Sequence, residues 1–138
     1  MEAINETSLY KILRILANYS NMFSFVIRED VELNDEMISV IDRLSNFLIK
    51  KEIVDEWPGT KLLIDKAVLY KFHLTNQAID LLIDIESNLY NWVSPNLPED
   101  IVMYNDNIPI FISITHEKFA YLKNLNKSIE TNILQELK

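Results

Sequence analysis

Two neighbouring residues near the end of the chain, His116 and Glu117, have the side chains of a general base and its orienting carboxylate. They follow the apolar segment 110–114, and a histidine at the end of a strand can accept a proton when a carboxylate holds its ring. Adjacent residues point in different directions on a strand or a helix, and Thr115 is also suited to cap a helix. The pair is therefore either part of a catalytic site or the start of a helix.

A second set of polar residues is the carboxylate pair Glu99 and Asp100, which follows Pro98. Paired carboxylates serve as acid and base when burial raises the pKa of one of them. Carboxylates in a loop after a proline are usually solvated, so we expect this pair to lie at the surface. An enzymatic role would need a buried environment that the sequence does not indicate.

The residue types that form metal and phosphate sites are scarce. The chain has no cysteine and one glycine, and His73 and His116 are its only histidines. Zinc and iron sites need clustered His, Cys and carboxylate ligands, and a phosphate-binding loop needs several glycines. We therefore predict no cofactor, and a metal site only if the fold brings the two histidines together.

The distribution of charge is more informative than any motif. The net charge is −8, and no lysine or arginine occurs from Phe72 to Glu117. The carboxylates of that segment are Asp80, Asp84, Glu86, Glu99, Asp100, Asp106 and Glu117. This acidity disfavours nucleic acid and anionic membranes, because both are bound through Lys and Arg. It favours a basic protein partner, which long-range electrostatic attraction would steer towards the chain.

Aromatic residues accompany these carboxylates. Asp80 and Asp84 are spaced i, i+4 on a predicted helix, and Trp92 and Tyr104 lie in the same segment. Aromatic side chains beside charges are typical of interface hot spots. We therefore predict a partner-binding surface, whose residues are Asp80, Asp84, Glu99, Asp100, Trp92 and Tyr104. The alternative is a solvated helix face with buried aromatic side chains.

The elements that position these residues follow from hydrophobic periodicity and capping signals. Helices are predicted from Thr7 or Ser8, from Asn34 to about Lys51, from Thr75 or Asn76 to about Asn88, from about His116, and from about Asn126. Strands are predicted at residues 22–27, 67–74, 101–104 and 109–114, with a loop at 29–36 and a turn at 57–60. Because no regular βαβ repeat is present, we predict a single α+β domain, 1–138, with a mostly antiparallel sheet.

A cytoplasmic location is expected from composition. The chain lacks cysteine, and its longest apolar runs fall far short of the ~18–20 residues of a membrane helix. The first six residues have neither the basic region nor the apolar region of a signal peptide.

Four segments, at residues 57–63, 68–74, 97–101 and 112–122, resemble a family of small bacterial proteins that carry the label stage III sporulation protein AH. The resemblance covers about residues 50–125, with the segments in the same order, and it implies no catalytic residues. In type rather than in motif, this small acidic chain is also similar to the immunity proteins that neutralise toxins.

The function expected from the sequence is that of a protein-binding domain, most concretely an immunity protein that occludes a basic toxin domain. The alternative is a small-ligand-binding or catalytic domain with a pocket formed by Trp57, Tyr70, His116 and Glu117. A homo-oligomer with a purely structural role is a third possibility.

Overall fold

The computed structural model describes residues 2–138, which form four α-helices and eight strands. The helices are α1 (Leu9–Leu16), α2 (Asp35–Leu44), α3 (Asn76–Ile85) and α4 (Lys127–Glu136). The strands are β1 (Met22–Arg28), β2 (Leu48–Val54), β3 (Glu56–Trp57), β4 (Thr60–Lys61), β5 (Ala67–His73), β6 (Glu99–Asn105), β7 (Ile108–Ile114) and β8 (Phe119–Leu122). Within residues 2–138, none of the helices has the length and apolar character needed to cross a membrane.

Six strands form one sheet in the order β2-β5-β1-β6-β7-β8, and every neighbouring pair is antiparallel. The short strands β3 and β4 form a separate hairpin. The predicted α+β class with an antiparallel sheet is therefore confirmed, and the strands predicted at 101–104 and 109–114 pair with each other as β6 and β7.

Each helix starts at a capping residue. Ser8, Asn34, Thr75 and Asn126 each accept a hydrogen bond from the backbone N–H three residues further along the chain. Such a cap satisfies one of the N–H groups that the first turn leaves without a partner and contributes about 1 kcal/mol. The predicted helix starts at these four positions are confirmed.

The four helices pack on one face of the sheet. One cluster of buried apolar side chains extends along the chain from Ile4 to Leu137, with Phe23, Phe72 and Phe111 contributed by the sheet. Full burial of a side chain of this size stabilises the fold by about 1.5–3 kcal/mol. This cluster is the main hydrophobic core.

The β3–β4 hairpin covers part of the opposite face. Trp57 packs there with Val26 and Leu69 in a second, smaller cluster. The turn contains Gly59 at φ +92°, and a Cβ at this position would lie 2.9 Å from Cγ2 of Ile112. Only glycine fits this combination of positive φ and close approach, so the predicted turn at 57–60 fixes Trp57 against the sheet.

The second helix is shorter than predicted. It ends at Leu44, and the segment expected to be its last turns is the edge strand β2, after a 3₁₀ turn at Ser45–Phe47. Leu48 fits the apolar spacing of the helix, but the segment pairs with β5 along its length. Pairing between distant segments has overridden the local pattern here.

The helix predicted from His116 is also absent from the described residues. A single 3₁₀ turn, Thr115–Glu117, ends at Lys118 with φ +54° and leads directly into β8. The strand is favoured because Phe119–Leu122 pairs with β7 and buries most of its side chains. The interpretation of the His116–Glu117 pair as the start of an α-helix is therefore wrong. In the 3₁₀ turn the His116 side chain faces Glu99, whereas the Glu117 side chain is exposed.

Candidate functional site

The predicted carboxylate pair lies at the start of β6, next to the 3₁₀ turn that carries His116. Glu99 and Asp100 are 2% and 1% exposed, so the expectation that they are solvated is wrong. The sequence offered no sign of this burial, because the groups that enclose the pair come from distant segments: Arg28, Trp57 and Thr115.

A β-bulge sets the direction of the two carboxylates. Against β1, Ser24 is opposite Val102 but Val26 is opposite Glu99, so β6 contains one extra residue in this interval. Asp100 has a φ of +59°, in the left-handed region that non-glycine residues rarely adopt. Bulges redirect side chains, and this one places Glu99 and Asp100 among different partners.

Asp100 is bonded on both oxygens. Its Oδ1 accepts hydrogen bonds from the N–H of Thr115 at 2.9 Å and from the Thr115 hydroxyl at 3.2 Å, and its Oδ2 accepts one from Trp57 Nε1 at 3.0 Å. Burial raises the pKa of Asp100, an effect that these bonds oppose and the charge of Glu99 reinforces. Asp100 therefore joins the β3–β4 hairpin and the 3₁₀ turn to the sheet.

Glu99 faces a small pocket. Its Oε1 accepts hydrogen bonds from Arg28 Nε at 3.1 Å and from the Ser94 hydroxyl at 2.8 Å, whereas its Oε2 lies 3.7 Å from His116 Nδ1. The pocket, of about 260 Å³, is lined by these four residues and Val93. The Arg28 guanidinium also lies 5.3 Å from the centre of the Trp57 ring. Arg28 therefore contacts both Glu99 and Trp57, the residue that donates a hydrogen bond to Asp100.

The carboxylate that faces His116 is Glu99 rather than the predicted Glu117, whose side chain is exposed. A separation of 3.7 Å is too long for a hydrogen bond, so the two groups form an ion pair only when the imidazole is protonated. The gap between His116 Nδ1 and Glu99 Oε2 is wide enough for a small cation that both atoms could ligate.

The predicted pocket of Trp57, Tyr70 and His116 does not exist, because Trp57 and Tyr70 lie on opposite faces of the sheet. Trp57 packs with Leu69, the residue before Tyr70, and successive residues of a strand point to opposite faces. The Tyr70 ring belongs to the main core, 5.7 Å from that of Phe25. The link from Trp57 to His116 runs instead through Asp100.

Three groups of metal-ligand type meet at this site. Ligand atoms of Glu99, Asp100 and His116 all lie within 4.8 Å of one another. Asp100 already accepts three hydrogen bonds, and Arg28 supplies a positive charge. Within residues 2–138, the ligand atoms left without a hydrogen bond are Glu99 Oε2 and the ring nitrogens of His116, of which Nδ1 faces Glu99. His73 lies at the opposite end of the sheet, since it pairs with Met22 at the start of β1.

The predicted acidic stripe on α3 is paired with arginines. Asp80 and Asp84 are exposed, but each binds an arginine of another helix at 2.7 Å, Arg14 of α1 and Arg43 of α2. These cations are distant in sequence, which is why a scan of neighbouring residues does not find them. Like charges spaced i, i+4 on a helix repel each other, and these two arginines offset that repulsion between Asp80 and Asp84.

The predicted aromatic anchors are in the interior. Trp92 is completely buried, donates a hydrogen bond from Nε1 to the Glu86 carbonyl at 3.0 Å, and stacks on Phe25. Tyr104 is 4% exposed, and its hydroxyl lies 2.8 Å from the Ser24 hydroxyl. Neither ring is available to a partner, so the prediction that these two residues anchor an interface is wrong.

A lysine that the sequence did not single out is buried beside Tyr104. The Nζ of Lys71 donates a hydrogen bond to Asn107 Oδ1 at 2.9 Å and lies 4.2 Å from the Tyr104 ring centre. Burial lowers the pKa of Lys71, and the charge of Lys50 acts in the same direction. Its partners are structural ones, a turn amide and an aromatic ring.

The free acidic surface is elsewhere, on α2 and the segment before it. We call it the α2 acidic surface; its carboxylates are Glu29, Asp30, Glu32, Asp35, Glu36 and Asp42. All six are exposed, and none forms an ion pair with any part of residues 2–138. Leu33 and Ile38 are 49% and 45% exposed among them. The high density of acidic residues at 29–36 is the feature of the sequence that indicates this surface, but the prediction treats the segment only as a loop.

No protein-family model, curated protein or solved structure matches this chain.

Proposed function

We propose that the chain is a cytoplasmic protein-binding domain that engages a cationic protein surface, as an immunity protein does when it occludes a basic toxin domain. The observation that supports this proposal is the α2 acidic surface, whose six carboxylates form no ion pair within residues 2–138 and whose segment also carries the exposed Leu33 and Ile38. Charged groups of one sign around apolar side chains supply both the steering and the desolvated contact that association needs.

The helix geometry makes part of this surface continuous. Asp35, Ile38 and Asp42 are spaced i, i+3, i+7, which places them on one exposed stripe of α2. Asp35 and Glu36 also lie in the first turn, where the helix dipole favours negative charge. Glu32 and Asp42 have no such local role and are therefore the residues to substitute.

The experiment is a comparison of two charge-reversed variants with the wild type. The tagged chain is purified from its native host, and bound proteins are identified by mass spectrometry. We expect Glu32→Lys/Asp42→Lys to lose a basic partner that the wild type retains. Asp80→Lys/Asp84→Lys, with the same change in net charge, should weaken its binding much less because those carboxylates are already paired.

Retention of the same partners by both variants would contradict the proposal. The immunity role has a further requirement: the partner should be toxic when expressed alone and harmless when expressed with this chain. If the partner is not toxic, the result would support the protein-binding function and contradict the immunity role.

A second candidate function, the binding of a small cation or ligand, is favoured by the pocket in which His116 Nδ1 faces Glu99 Oε2. Zinc added to the purified chain should then raise its melting temperature. His116→Ala should abolish that shift and Glu117→Ala, at the exposed neighbour, should preserve it. The absence of a shift in the wild type, or its persistence in His116→Ala, would exclude this site.

A further inference from the structure

The sheet has two edge strands, and only one of them is covered. Along β8, Ala3 forms a bridge with Tyr121, and the Ile4 N–H donates to the Ala120 carbonyl at 2.8 Å. At the other edge, no segment of residues 2–138 pairs with the outer side of β2, and six of its seven residues are exposed. An open edge presents unpaired N–H and C=O groups to another strand.

We propose that β2 pairs with β2 of a second copy of this chain. The two strands are antiparallel about a two-fold axis midway between Lys51 and its copy, which we call the axis at Lys51, so the two sheets join into one continuous sheet. The residues of β2 determine both the occupant and the register.

Symmetry limits the possible registers. In an antiparallel pair, opposite residues direct their N–H and C=O groups either both towards the partner strand or both away from it, and these directions alternate along a strand. An axis between two consecutive residues would place a residue whose N–H and C=O point towards the partner strand opposite one whose groups point away from it, and the two could not form hydrogen bonds. The two-fold axis must therefore lie midway between one residue and its own copy, and the registers that pair most of β2 have Lys50, Lys51 or Glu52 at that position.

Charge and hydrophobicity select one of the three. An axis at Lys50 sets Lys50 against its own copy and Ile49 against Lys51, and an axis at Glu52 sets Glu52 against its own copy and Lys51 against Ile53. An axis at Lys51 also sets Lys51 against its own copy, but it is the register that sets Lys50 opposite Glu52 and Ile49 opposite Ile53, each pair occurring twice. Opposite charges and paired apolar residues across strands stabilise a sheet, whereas like charges destabilise it.

The side chains are placed for this register. Lys50 Nζ and Glu52 Oε1 lie 3.4 Å apart on one face of β2, so that face presents the two charges that the second copy would match. Ile53 is 68% exposed. The Lys51 Nζ lies 5.5 Å from the ring centre of Tyr70 in its own chain, and this contact draws each central ammonium group back from the axis.

Other partner strands are disfavoured by the same features. Lysines and bulges on an edge strand oppose unspecific pairing, and β2 has a register shift between Leu48 and Lys50 where it pairs with β5. A second copy in the Lys51-centred register extends the Lys50–Glu52 pair of each chain into a network of four alternating charges, which a strand without a carboxylate opposite Lys50 does not.

A second apolar contact lies at the end of β2. Leu63 and Ile64 are 95% and 90% exposed in the loop before β5. The Leu62 N–H donates to the Asp55 carbonyl at 2.7 Å, which holds this loop beside the end of β2. The two-fold axis brings that end of one copy alongside the exposed Leu48 of the other.

Sedimentation equilibrium of the full chain and of charge-reversed variants tests the proposal. The wild type should reach twice its 16.2 kDa. Lys50→Glu and Glu52→Lys each create two like-charge pairs and should raise the dimer Kd about tenfold or more. A mixture of the two variants restores every pair, so it should form a heterodimer with a Kd near that of the wild type. Lys61→Glu, away from this edge, is the charge-matched control and should dimerise normally.

Cross-linking checks the register. The chain has no cysteine, so Lys51→Cys introduces a single thiol that should form a disulfide with its own copy. Ile53→Cys should not do so alone but should when mixed with Ile49→Cys. A wild type that is monomeric at every concentration, a mixture that does not recover, or a dimer without the Lys51→Cys disulfide would each overturn the proposal. Circular dichroism confirms that each variant is folded.

Discussion

The carboxylates at the start of β6 and those of the α2 acidic surface have the same chemistry and opposite surroundings. Glu99 and Asp100 are buried and together accept five hydrogen bonds from Arg28, Ser94, Trp57 and Thr115. The six carboxylates of the α2 acidic surface are exposed and unpaired within residues 2–138. The first set holds the fold together, whereas the second is available to a partner.

This difference shows that a lack of lysine and arginine among the sequence neighbours of a carboxylate does not identify a binding surface. The longest segment without lysine or arginine contains carboxylates that are paired across the fold, by Arg14, Arg28 and Arg43. A carboxylate remains free only when no cation from another element reaches it. Substitutions of Glu99 and Asp100 should therefore change the stability of the fold, whereas substitutions on the α2 acidic surface should change association with a partner.

The largest effect is expected at Asp100. Asp100→Asn places an NH₂ group against the Trp57 N–H and should lower the free energy of unfolding by about 2–3 kcal/mol, because a buried donor loses its acceptor. Urea unfolding measures this loss. Trp57→Phe and the double variant complete the cycle, and the two losses should be less than additive by about 1 kcal/mol or more. Additive losses would mean that this hydrogen bond does not couple the hairpin to the sheet.

Glu99 should show a smaller loss. Glu99→Gln retains the shape of the side chain but removes the charge that faces Arg28, and we expect about 1–2 kcal/mol of destabilisation in urea, as for a hydrogen bond to a charged group. Glu117→Gln, at the exposed neighbour of His116, is the control and should change stability by less than about 0.5 kcal/mol. Equal effects at the two positions would show that Glu99 contributes no more than a surface carboxylate.

The pH dependence of stability should have a defined sign at Asp100. The folded-state pKa lies above the ordinary value of 3.8, chiefly because of burial. Between those two values the folded chain binds more protons than the unfolded chain, so the Asp100 contribution to the free energy of unfolding falls as pH rises. The quantity to measure is the difference between wild type and Asp100→Asn in urea from acidic to neutral pH. A difference that grows in favour of the wild type with rising pH would contradict the assigned shift.

The smallest stability effect is expected on the α2 acidic surface. Glu32→Gln/Asp42→Asn should change the free energy of unfolding by less than about 0.5 kcal/mol, as surface substitutions usually do. Any gain should appear at low salt, because the net charge of −8 repels itself. Asp80→Asn/Asp84→Asn, which removes two exposed ion pairs, should cost about 0–1 kcal/mol for each pair. A large loss from the first pair of substitutions would mean that these residues have structural partners.

The fold was predictable from the sequence where local signals and tertiary pairing agree. The caps at Ser8, Asn34, Thr75 and Asn126 mark helix starts that the structure has. Prediction failed at β2 and β8, where the decisive contact is with a strand elsewhere in the chain: β5 in one case and β7 in the other. Periodicity describes one segment and does not include the hydrogen bonds that another segment supplies.

The candidate site was predictable only in its residue types. Trp57, Glu99, Asp100 and His116 are all candidates by residue type, and the structure brings these four together. Their predicted grouping is wrong, since Tyr70 and Glu117 do not join them. The bulge at Asp100 and the approach of Arg28 determine the real grouping, and both depend on the register between β1 and β6.

The short N-terminal segment that lies along β8 has a consequence for assembly. In the proposed dimer, pairing through β2 is a closed contact: the joined sheet ends in β8 on both sides, and at each end Ala3 and Ile4 lie along that strand. Without Ala3 and Ile4 on β8, each dimer would have an unpaired edge strand at both ends, and dimers could add to one another edge to edge without closing. A few residues of extended chain thus separate a finite particle from an open-ended fibre.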